Sequence, residues 1–449
     1  MRLAWLSPWP PQRSGVAGRS FDVVAGLAAR GLAIDVFVDA FEVTTAQRGG
    51  DDPPTPGPIR VQSAHDFLWR AVRGQFDLVV YQIGNSRLHE FTWPYVWQWP
   101  GLAVLHDARL HHARGRARLL RRDRAGYREE FAWSHPDAPA DAAELGVAGF
   151  GGTYSYQWPM IRGVIEGARA VAVHSSSLAA DLSARFPESQ IASIALGGGP
   201  VDLLSDAERA AARAGLGLSP EAIAFGVFGG LSAEKRLPQI IRAFAAVRAR
   251  VPDARLVLGG APDASADLDR LAQDAGVADA IVRCHDLDDT AFDRAIAAMD
   301  ITLHLRWPTA LETSGPWVRA LAAGRATIVT DLAHQSHVPV LDPRTWASPG
   351  TAAPIAVAID ILDEDHSLRA AMLRLAQDVP LRDRLGRAAR AHWATEHHPD
   401  RVLDDYQRVI TDAASRPAPA PLPHCFRPDP LAHARDVVGP FGDLQCELL

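Results

Sequence analysis

Two short runs in the second half of the chain carry the residue types that would handle an anion. In VFGGLSAEKRLPQII, Lys235 and Arg236 follow an apolar run and stand at the start of a helical pattern. Amide groups at a helix N-terminus, joined by one or two cations, suit a diphosphate. Lys235 is the only lysine of a chain whose Lys and Arg total 46. A compositional drift toward arginine has spared it, and a flexible ammonium is a point charge that a planar guanidinium does not reproduce. In ITLHLRWPTALETSGPWVRALAAG, Glu312-Thr313-Ser314-Gly315 falls between a buried strand and a helix that Gly324 stops. Thr313 or Ser314 can cap that helix, leaving amides for an anionic or hydroxylated ligand, while Glu312 can accept hydrogen bonds from ligand hydroxyls.

The first half offers neutral and basic groups at the ends of apolar runs. RLAWLSP leads into a loop with Ser14, Gly15 and Gly18, which has neither the dinucleotide fingerprint spacing nor a P-loop lysine. FDLVVYQI runs into Gly84-Asn85-Ser86, Asn85 being the only asparagine, with His89 nearby; GLAVL runs into His106-Asp107 and RAVAV into His174-Ser175. One histidine at a strand end is most often a structural hydrogen-bonder, but several ends aimed the same way point to a shared cleft. Residues 109–128 then hold eight arginines, beginning with Arg109. They read either as a solvated helix or as a surface for an anionic acceptor or membrane. Just before them, FTWPYVWQWP alternates aromatic residues and reads as a β-like run or a Pro-interrupted helix, with core packing the better use.

Short apolar runs alternating with helical patterns must position these groups. The first half supplies RLAWLSP, AIDVFVD, FDLVVYQIG, GLAVLHD, RAVAVHS and IASIALG, and the second AIAFGVFGG, ARLVLGG, AIVRCHD, ITLHLRWP and ATIVTD. Continuous apolar strands separated by helices call for parallel sheets with right-handed crossovers. The expected fold is α/β, two Rossmann-like doubly wound domains over 1–200 and 201–390, joined by the Gly-rich GGGPVDLLSD. Residues 391–449 are expected to form a crossover helix and a Pro-rich tail that docks on an unidentified surface. The 449 residues, 47% hydrophobic and 22% charged, fit a globular chain. A net charge of −7 argues against a nucleic-acid partner. Three cysteines make neither a disulfide framework nor a four-cysteine zinc site, and no long apolar stretch or signal peptide is read. The expected location is cytoplasmic, with peripheral contact at the inner membrane face through 109–128.

Taken in order, PPQRSGVA, YQIGNS, VLHD, VFGGLSAEKR, LRWPTALETSGPWVRALAAG and IVTD make the chain resemble glycosyltransferase family 4 over roughly residues 1–410, in a subgroup with an ETSG donor loop. The resemblance implies a GT-B fold, its two domains facing across a cleft with a C-terminal helix crossing back. It also implies a retaining enzyme that uses a nucleoside-diphosphate sugar. Ser14 and Gly15 would face donor phosphates and acceptor, and His106 would contact the transferred sugar. Lys235 would neutralise the leaving diphosphate; Glu312 and the amides of Thr313, Ser314 and Gly315 would hold sugar hydroxyls; His285 to Leu287 would line the base pocket. Asn85 and Arg109 complete the expected acceptor side, and Arg236 the donor side. The chain departs from the family at Gly230, where an arginine is usual, so that Arg236 or Arg13 would substitute. It departs again at Arg319-Ala320, where a ribose-binding glutamate is usual.

The implied activity is hexosyl transfer to a glycan, lipid-linked or small-molecule acceptor, with GDP-mannose or a UDP-sugar as donor and no cofactor. No Asp-x-Asp ends a strand, and the DED at 363–365 reads as solvated charge, so a metal-independent route is expected with no metal ligands. Two alternatives remain: a GT-B-fold sugar-nucleotide epimerase, and a non-catalytic nucleotide-sugar-binding protein.

Overall fold

The computed structural model describes residues 1–12, 14–39, 59–261 and 267–426. They divide into two compact units. One comprises 1–194, 310–313 and 403 onward, the other 195–309 and 314–402.

The first unit is a parallel sheet of seven strands: β1 (Arg2–Leu6), β2 (Ala33–Val38), β3 (Arg60–Ser63), β4 (Leu78–Ile83), β5 (Leu102–Leu105), β6 (Ala170–Val173) and β7 (Ile191–Ser193), in the order β3-β2-β1-β4-β5-β6-β7. Every residue of β4, β5 and β6 is buried, as expected of strands covered on both faces. The order reverses between β1 and β4, and in open sheets ligands bind beyond the carboxyl ends at such a switch. Ser14, Asn85, His106 and His174 all follow strands at that edge. Six of the strands match the apolar runs. β3 does not, because RVQS is a half-exposed edge strand with no apolar signature.

The second unit repeats the plan with β8 (Ala224–Phe228), β9 (Arg255–Gly259), β10 (Ile281–Cys284), β11 (Ile301–His304), β12 (Ala326–Thr330), β13 (Val340–Leu341) and β14 (Ala356–Ile359), ordered β10-β9-β8-β11-β12-β14-β13. Its switch lies between β8 and β11, the strands that lead into Lys235 and into the ETSG run. The GGGP stretch belongs to this unit. The Gly198 carbonyl accepts from Trp393 Nε1 at 2.8 Å, and a Cβ on Gly199 would meet that of Ala322 at 2.5 Å.

Three segments differ from the sequence reading or complete it. FTWPYVWQWP is helical, with a 3-10 turn over Arg87–Thr92 and an α-turn over Trp93–Val96, and Trp93 and Tyr95 are buried in the core. The arginine-rich run is not a uniformly solvated face. Arg114, 3% exposed, forms a two-pronged pair with Glu130 at 2.6 and 2.7 Å and lies over the rings of Trp93 and Trp97. Arg116 pairs with Glu90, Arg118 with Asp123 and Glu130, and Arg128 with Glu144. Of the tail expected to dock, residues 427–449 lie outside the described residues; Phe426 is buried against Trp97 and Trp133, both at 5.1 Å between ring centres. The helix Pro399–Ser415 enters the first unit from Leu403, where Leu403 packs on Gly26, Tyr406 on Trp5, and Arg30 reaches Asp404 and Gln407.

Candidate functional site

In the first unit the loops beyond β1, β4, β5 and β6 converge on His106. Its Nε2 lies 2.7 Å from Gln82 Oε1 and its Nδ1 lies 3.2 Å from Nε2 of His174. An amide oxygen only accepts, so the His106 proton sits on Nε2. The Nδ1 lone pair then receives the Nε2–H of His174, and a chain of fixed polarity runs His174 to His106 to Gln82. Burial first, then the neighbouring His174, Arg19 and His89, hold the His106 pKa well below the ordinary imidazole value. His106 is therefore a neutral ring at neutral pH, with both nitrogens engaged. His89 is buried beside it, its Nδ1 at 2.8 Å from the Gln82 carbonyl, and burial lowers its pKa to about 4.

Gln82, 1% exposed, is the residue that sets this tautomer. A Gln82→Glu substitution would place an anionic acceptor at His106 Nε2 and favour the imidazolium. The expected result is a rise of the His106 pKa by about one to three pH units, read by NMR titration of the ring. An unmoved titration would show that Gln82 merely packs.

The lone Asn85 has a local task. Its backbone N–H donates to Asp107 Oδ2 at 2.7 Å, and its side-chain Oδ1 accepts from the amide of Ala113 at 3.0 Å. Ala113 lies in the first turn of the helix His111–Leu119, whose own N-cap residue, Leu110, has no side-chain acceptor. Asn85 thus caps a helix from another loop, which satisfies an otherwise orphan donor. Ser14 caps the helix Gly15–Ala29 through Ala17 N at 3.0 Å. Gly15 leaves room for Arg19, whose guanidinium would lie 3.3 Å from a Cβ there. Arg13 lies outside the described residues. Arg109 is half-buried. Burial and Arg185 lower its pKa, and Glu312 and Tyr156 oppose them.

The ETSG run is split. Ala310 to Thr313 belong to the first unit: the Ala310 carbonyl accepts from Ala108 N at 2.8 Å, and Thr313 Oγ1 donates to the His174 carbonyl at 3.2 Å. Ser314 and Gly315 belong to the second, where Ser314 caps the helix Gly315–Ala322 through Trp317 N.

In the second unit β8 ends in Gly229-Gly230, a 3-10 turn spans Ala233–Lys235, and Arg236 at φ 60° opens the helix Leu237–Arg248. Lys235 is 7% exposed, and its ammonium donates to the Phe228 carbonyl. A Cβ on Gly229 would meet Lys235 Nζ at 3.0 Å and Pro316 Cγ at 3.2 Å. The cation and the first turn of the Gly315–Ala322 helix therefore converge on one glycine, within a single unit. His304, at the end of β11, stays neutral beside them: burial first and then Lys235 and Arg306 push its pKa well below the usual range. His285 follows β10, exposed, with Nδ1 at 3.2 Å from the Gly260 carbonyl, and Leu287 packs partly buried on the core.

The glycine loops beyond β8 and β9 touch. Gly260 has φ +146°, and a Cβ there would stand 2.3 Å from the Gly229 carbonyl oxygen. Gly260→Ala is expected to cost about 1–3 kcal/mol, read as a lowered denaturation midpoint, because backbone rather than a flexible side chain must move. A midpoint equal to wild type would mean that the two loops separate freely.

Other expected residues have protein partners. Arg236 forms a two-pronged pair with Glu364, with Nε at 2.8 Å from Oε1, and this bond raises its pKa. The DED run is therefore not wholly solvated, since Glu364 is buried under Arg236. Arg319, where the resemblance expects an acid, pairs with Asp289 at 2.8 Å and Asp293 at 3.1 Å. At Gly230 a Cβ would meet nothing within 4 Å among the described residues. The sequence reading did not single out Gln82, His304, Arg19 or Glu364. The first two sit inside apolar runs, where the one polar letter at a carboxyl end was the available signal. Among the described residues no group of three or more His, Cys, Asp or Glu is arranged to hold a metal, and no helix is long and apolar enough to cross a membrane.

Residues 222–365 match the family described as Glycosyl transferases group 1. No curated protein matches the sequence. Solved structures share the fold across 92% of the chain. WaaG, a glycosyltransferase involved in lipopolysaccharide biosynthesis, is 14% identical with a TM-score of 0.60 and is covered over 100% of its length. The sucrose-phosphate synthase of Thermosynechococcus elongatus is 14% identical with a TM-score of 0.61, covered over 98%. Anabaena Alr3699/HepE in complex with UDP and glucose is 15% identical with a TM-score of 0.58, covered over 99%. The two doubly wound units thus share the GT-B fold of these structures.

Proposed function

We propose that the protein is a retaining, metal-independent glycosyltransferase of family 4 that takes its sugar from a nucleoside-diphosphate sugar. The observation that carries this is the convergence of the buried Lys235 ammonium and the capped start of the Gly315–Ala322 helix on Gly229. A fixed cation beside oriented helix-terminal amides favours the charge that develops on a departing diphosphate. The glycosyltransferase match over residues 222–365 contains Lys235 and the ETSG run, and Alr3699/HepE has been crystallised with UDP and with UDP-glucose.

In the transfer, the bond between the anomeric carbon and the β-phosphate oxygen breaks and a bond to the acceptor oxygen forms. The acceptor proton passes to the departing phosphate, so no carboxylate base is required. Lys235 stabilises the leaving group, and the amides that follow Ser314 hold sugar hydroxyls. Of the arginine-rich stretch, four residues are committed to ion pairs. Peripheral membrane contact would therefore fall to the exposed Leu120, Arg122 and Arg124.

The test is release of nucleoside diphosphate from a panel of UDP- and GDP-sugars, with and without acceptor mixtures, each product sugar being checked for anomeric configuration. A second reading, nucleotide-sugar binding without turnover, draws on the commitment of Arg319 to Asp289 and Asp293 and the missing arginine at Gly230. Tight donor binding with no diphosphate release would select it, and an epimerised donor would select neither.

A further inference from the structure

A cavity in the 195–402 unit lies at the wrong end of the sheet to be a donor site. It has a volume of about 480 Å³ and is lined by Arg209, Arg325, Arg382, Arg387 and Arg390, against only two carboxylates, Asp300 and Asp383. Asp300 immediately precedes β11 and Arg325 immediately precedes β12. The cavity therefore opens at the amino ends of the strands, whereas Lys235 and Ser314 stand beyond carboxyl ends. At about 3.3 Å per residue, a five-residue strand separates the two edges by roughly 16 Å.

Much of this charge has a structural use. Arg325 Nε donates to the Ala323 carbonyl, Arg390 to Ala322, Arg209 to Ala297 and Arg382 to Leu375, all at or near the carboxyl ends of helices. A cation at a helix C-terminus complements the helix dipole. Asp300 is also spent, accepting from Arg209, Arg213 and the Ala224 amide.

What remains is an excess. Capping needs one cation per helix end, yet five guanidiniums crowd one cavity, and Arg387 lines it, exposed, with no hydrogen bond or ion pair among the described residues. The crowding is felt at Arg325: burial first and then Arg209 lower its pKa to about 10. The helix Val379–Glu396 closes on one side of the cavity at a glycine. A Cβ on Gly386 would stand 2.3 Å from the Gly324 carbonyl oxygen. Its rim is apolar, with Leu203 53% and Val379 49% exposed.

We propose that this cavity is a binding site for a multiply charged phosphate-type anion, separate from the donor site and independent of the transfer chemistry. Planar guanidinium forks pair two-pronged with phosphate oxygens, and a volume of this size takes more than a single phosphate. The apolar rim leaves room for the body that carries the phosphates. That body is either a soluble phosphorylated compound or an anionic lipid whose headgroup enters the cavity.

The test uses the full chain carrying Lys235→Ala, so that the donor-site cation does not contribute, with pyrophosphate as the probe and thermal unfolding as the readout. Pyrophosphate should raise the melting temperature by mass action. Adding Arg387→Glu should increase the concentration required about tenfold or more, the cost of replacing one charge-assisted contact with repulsion. Arg384→Glu, the same charge change on the same helix but outside the cavity lining, should leave it unchanged. Both arginines are exposed, so neither change threatens the fold. Equal responses of the Arg387 and Arg384 variants, or no response once Lys235 is removed, overturn the proposal. Flotation on phosphatidylglycerol vesicles separates the two sources. Flotation lost with Arg387→Glu supports the site and names a lipid headgroup, and Arg387-dependent pyrophosphate binding without flotation supports it and names a soluble anion.

Discussion

Lys235→Ala is expected to reduce nucleoside diphosphate release by about 100- to 1000-fold, the usual cost of removing one preorganised electrostatic stabiliser of a developing anion. The ammonium is held in place before any donor arrives. It is buried, donates to the Phe228 carbonyl, and is fenced by Gly229 and Pro316. Preorganisation matters because the charge to be stabilised appears only as the bond breaks, so a cation that must first move contributes less. Lys235→Arg should recover less than about tenfold of the loss, since a planar fork with five donors cannot occupy a niche shaped for a point charge. The reading is sharpest in initial rates of donor hydrolysis, which need no acceptor. An alanine variant that hydrolyses donor within about threefold of wild type would remove Lys235 from the reaction, whatever the enzyme transfers.

The second large effect is on stability in mild acid. His89, His111 and His397 are buried, and burial lowers each from 6.5 to about 4. Burial holds each neutral, against the local bonds of His89 to the Gln82 carbonyl and of His397 to the Leu196 carbonyl, which favour the charged ring; His111 meets the Tyr127 hydroxyl. The unfolded chain binds a proton near pH 6.5 and the folded chain only near pH 4. Stability is therefore complete above about pH 6.5 and is lost as pH falls through this window. A shift of this size corresponds to about 3 kcal/mol per ring, so the three together approach 10 kcal/mol, comparable with the whole stability of an ordinary domain. His106 and His304 are lowered further and act in the same direction. Two of the three rings lie in the first unit and one in the second. The first unit also holds His106 and His135 and the second His304, His337 and His392, all lowered by burial, so both units should lose stability between pH 6.5 and 4 in calorimetry. A melting temperature constant within about 3 °C from pH 7 to pH 5 would refute this account. His111→Gln, which keeps a donor for Tyr127 and removes the titration, should flatten the slope.

The fold was legible wherever burial on both faces left an uninterrupted apolar string, as in LVVYQI of β4 or ATIVT of β12. It was not legible in β3, whose RVQS lies at an edge, nor in β13, which is two residues long. The loops that hold Lys235 and ETSG were legible because strand, loop and helix start are all local signals. Partners distant in sequence were not. Arg236 stands next to Lys235 in the chain, yet its guanidinium is held by Glu364, and nothing within a few residues of either announces the pair. Asn85 was conspicuous as the only asparagine, but its rarity did not reveal that it caps a helix beginning 26 residues later, at His111. Rarity marks a residue that composition could not replace, while geometry decides whether it serves the ligand or the scaffold.

The burial of Lys235 turns the sequence into its own probe. Lys235 is the only side chain in the 449 residues that bears an aliphatic amine. An amine-selective acylating reagent therefore reports on one side chain, without mutation or a fitted label. Acylation removes the charge and adds bulk to a niche already closed by Gly229 and Pro316. The α-amine of Met1 reacts as well, so the mass of the peptide that contains residue 235, not that of the intact chain, counts the molecules modified there. The rate at which that mass appears follows the escape of the ammonium from the Phe228 carbonyl, and any anion seated on the ammonium slows it. Among side chains only Lys235 answers amine chemistry, so cross-linking through lysine on this chain is chemistry aimed at residue 235.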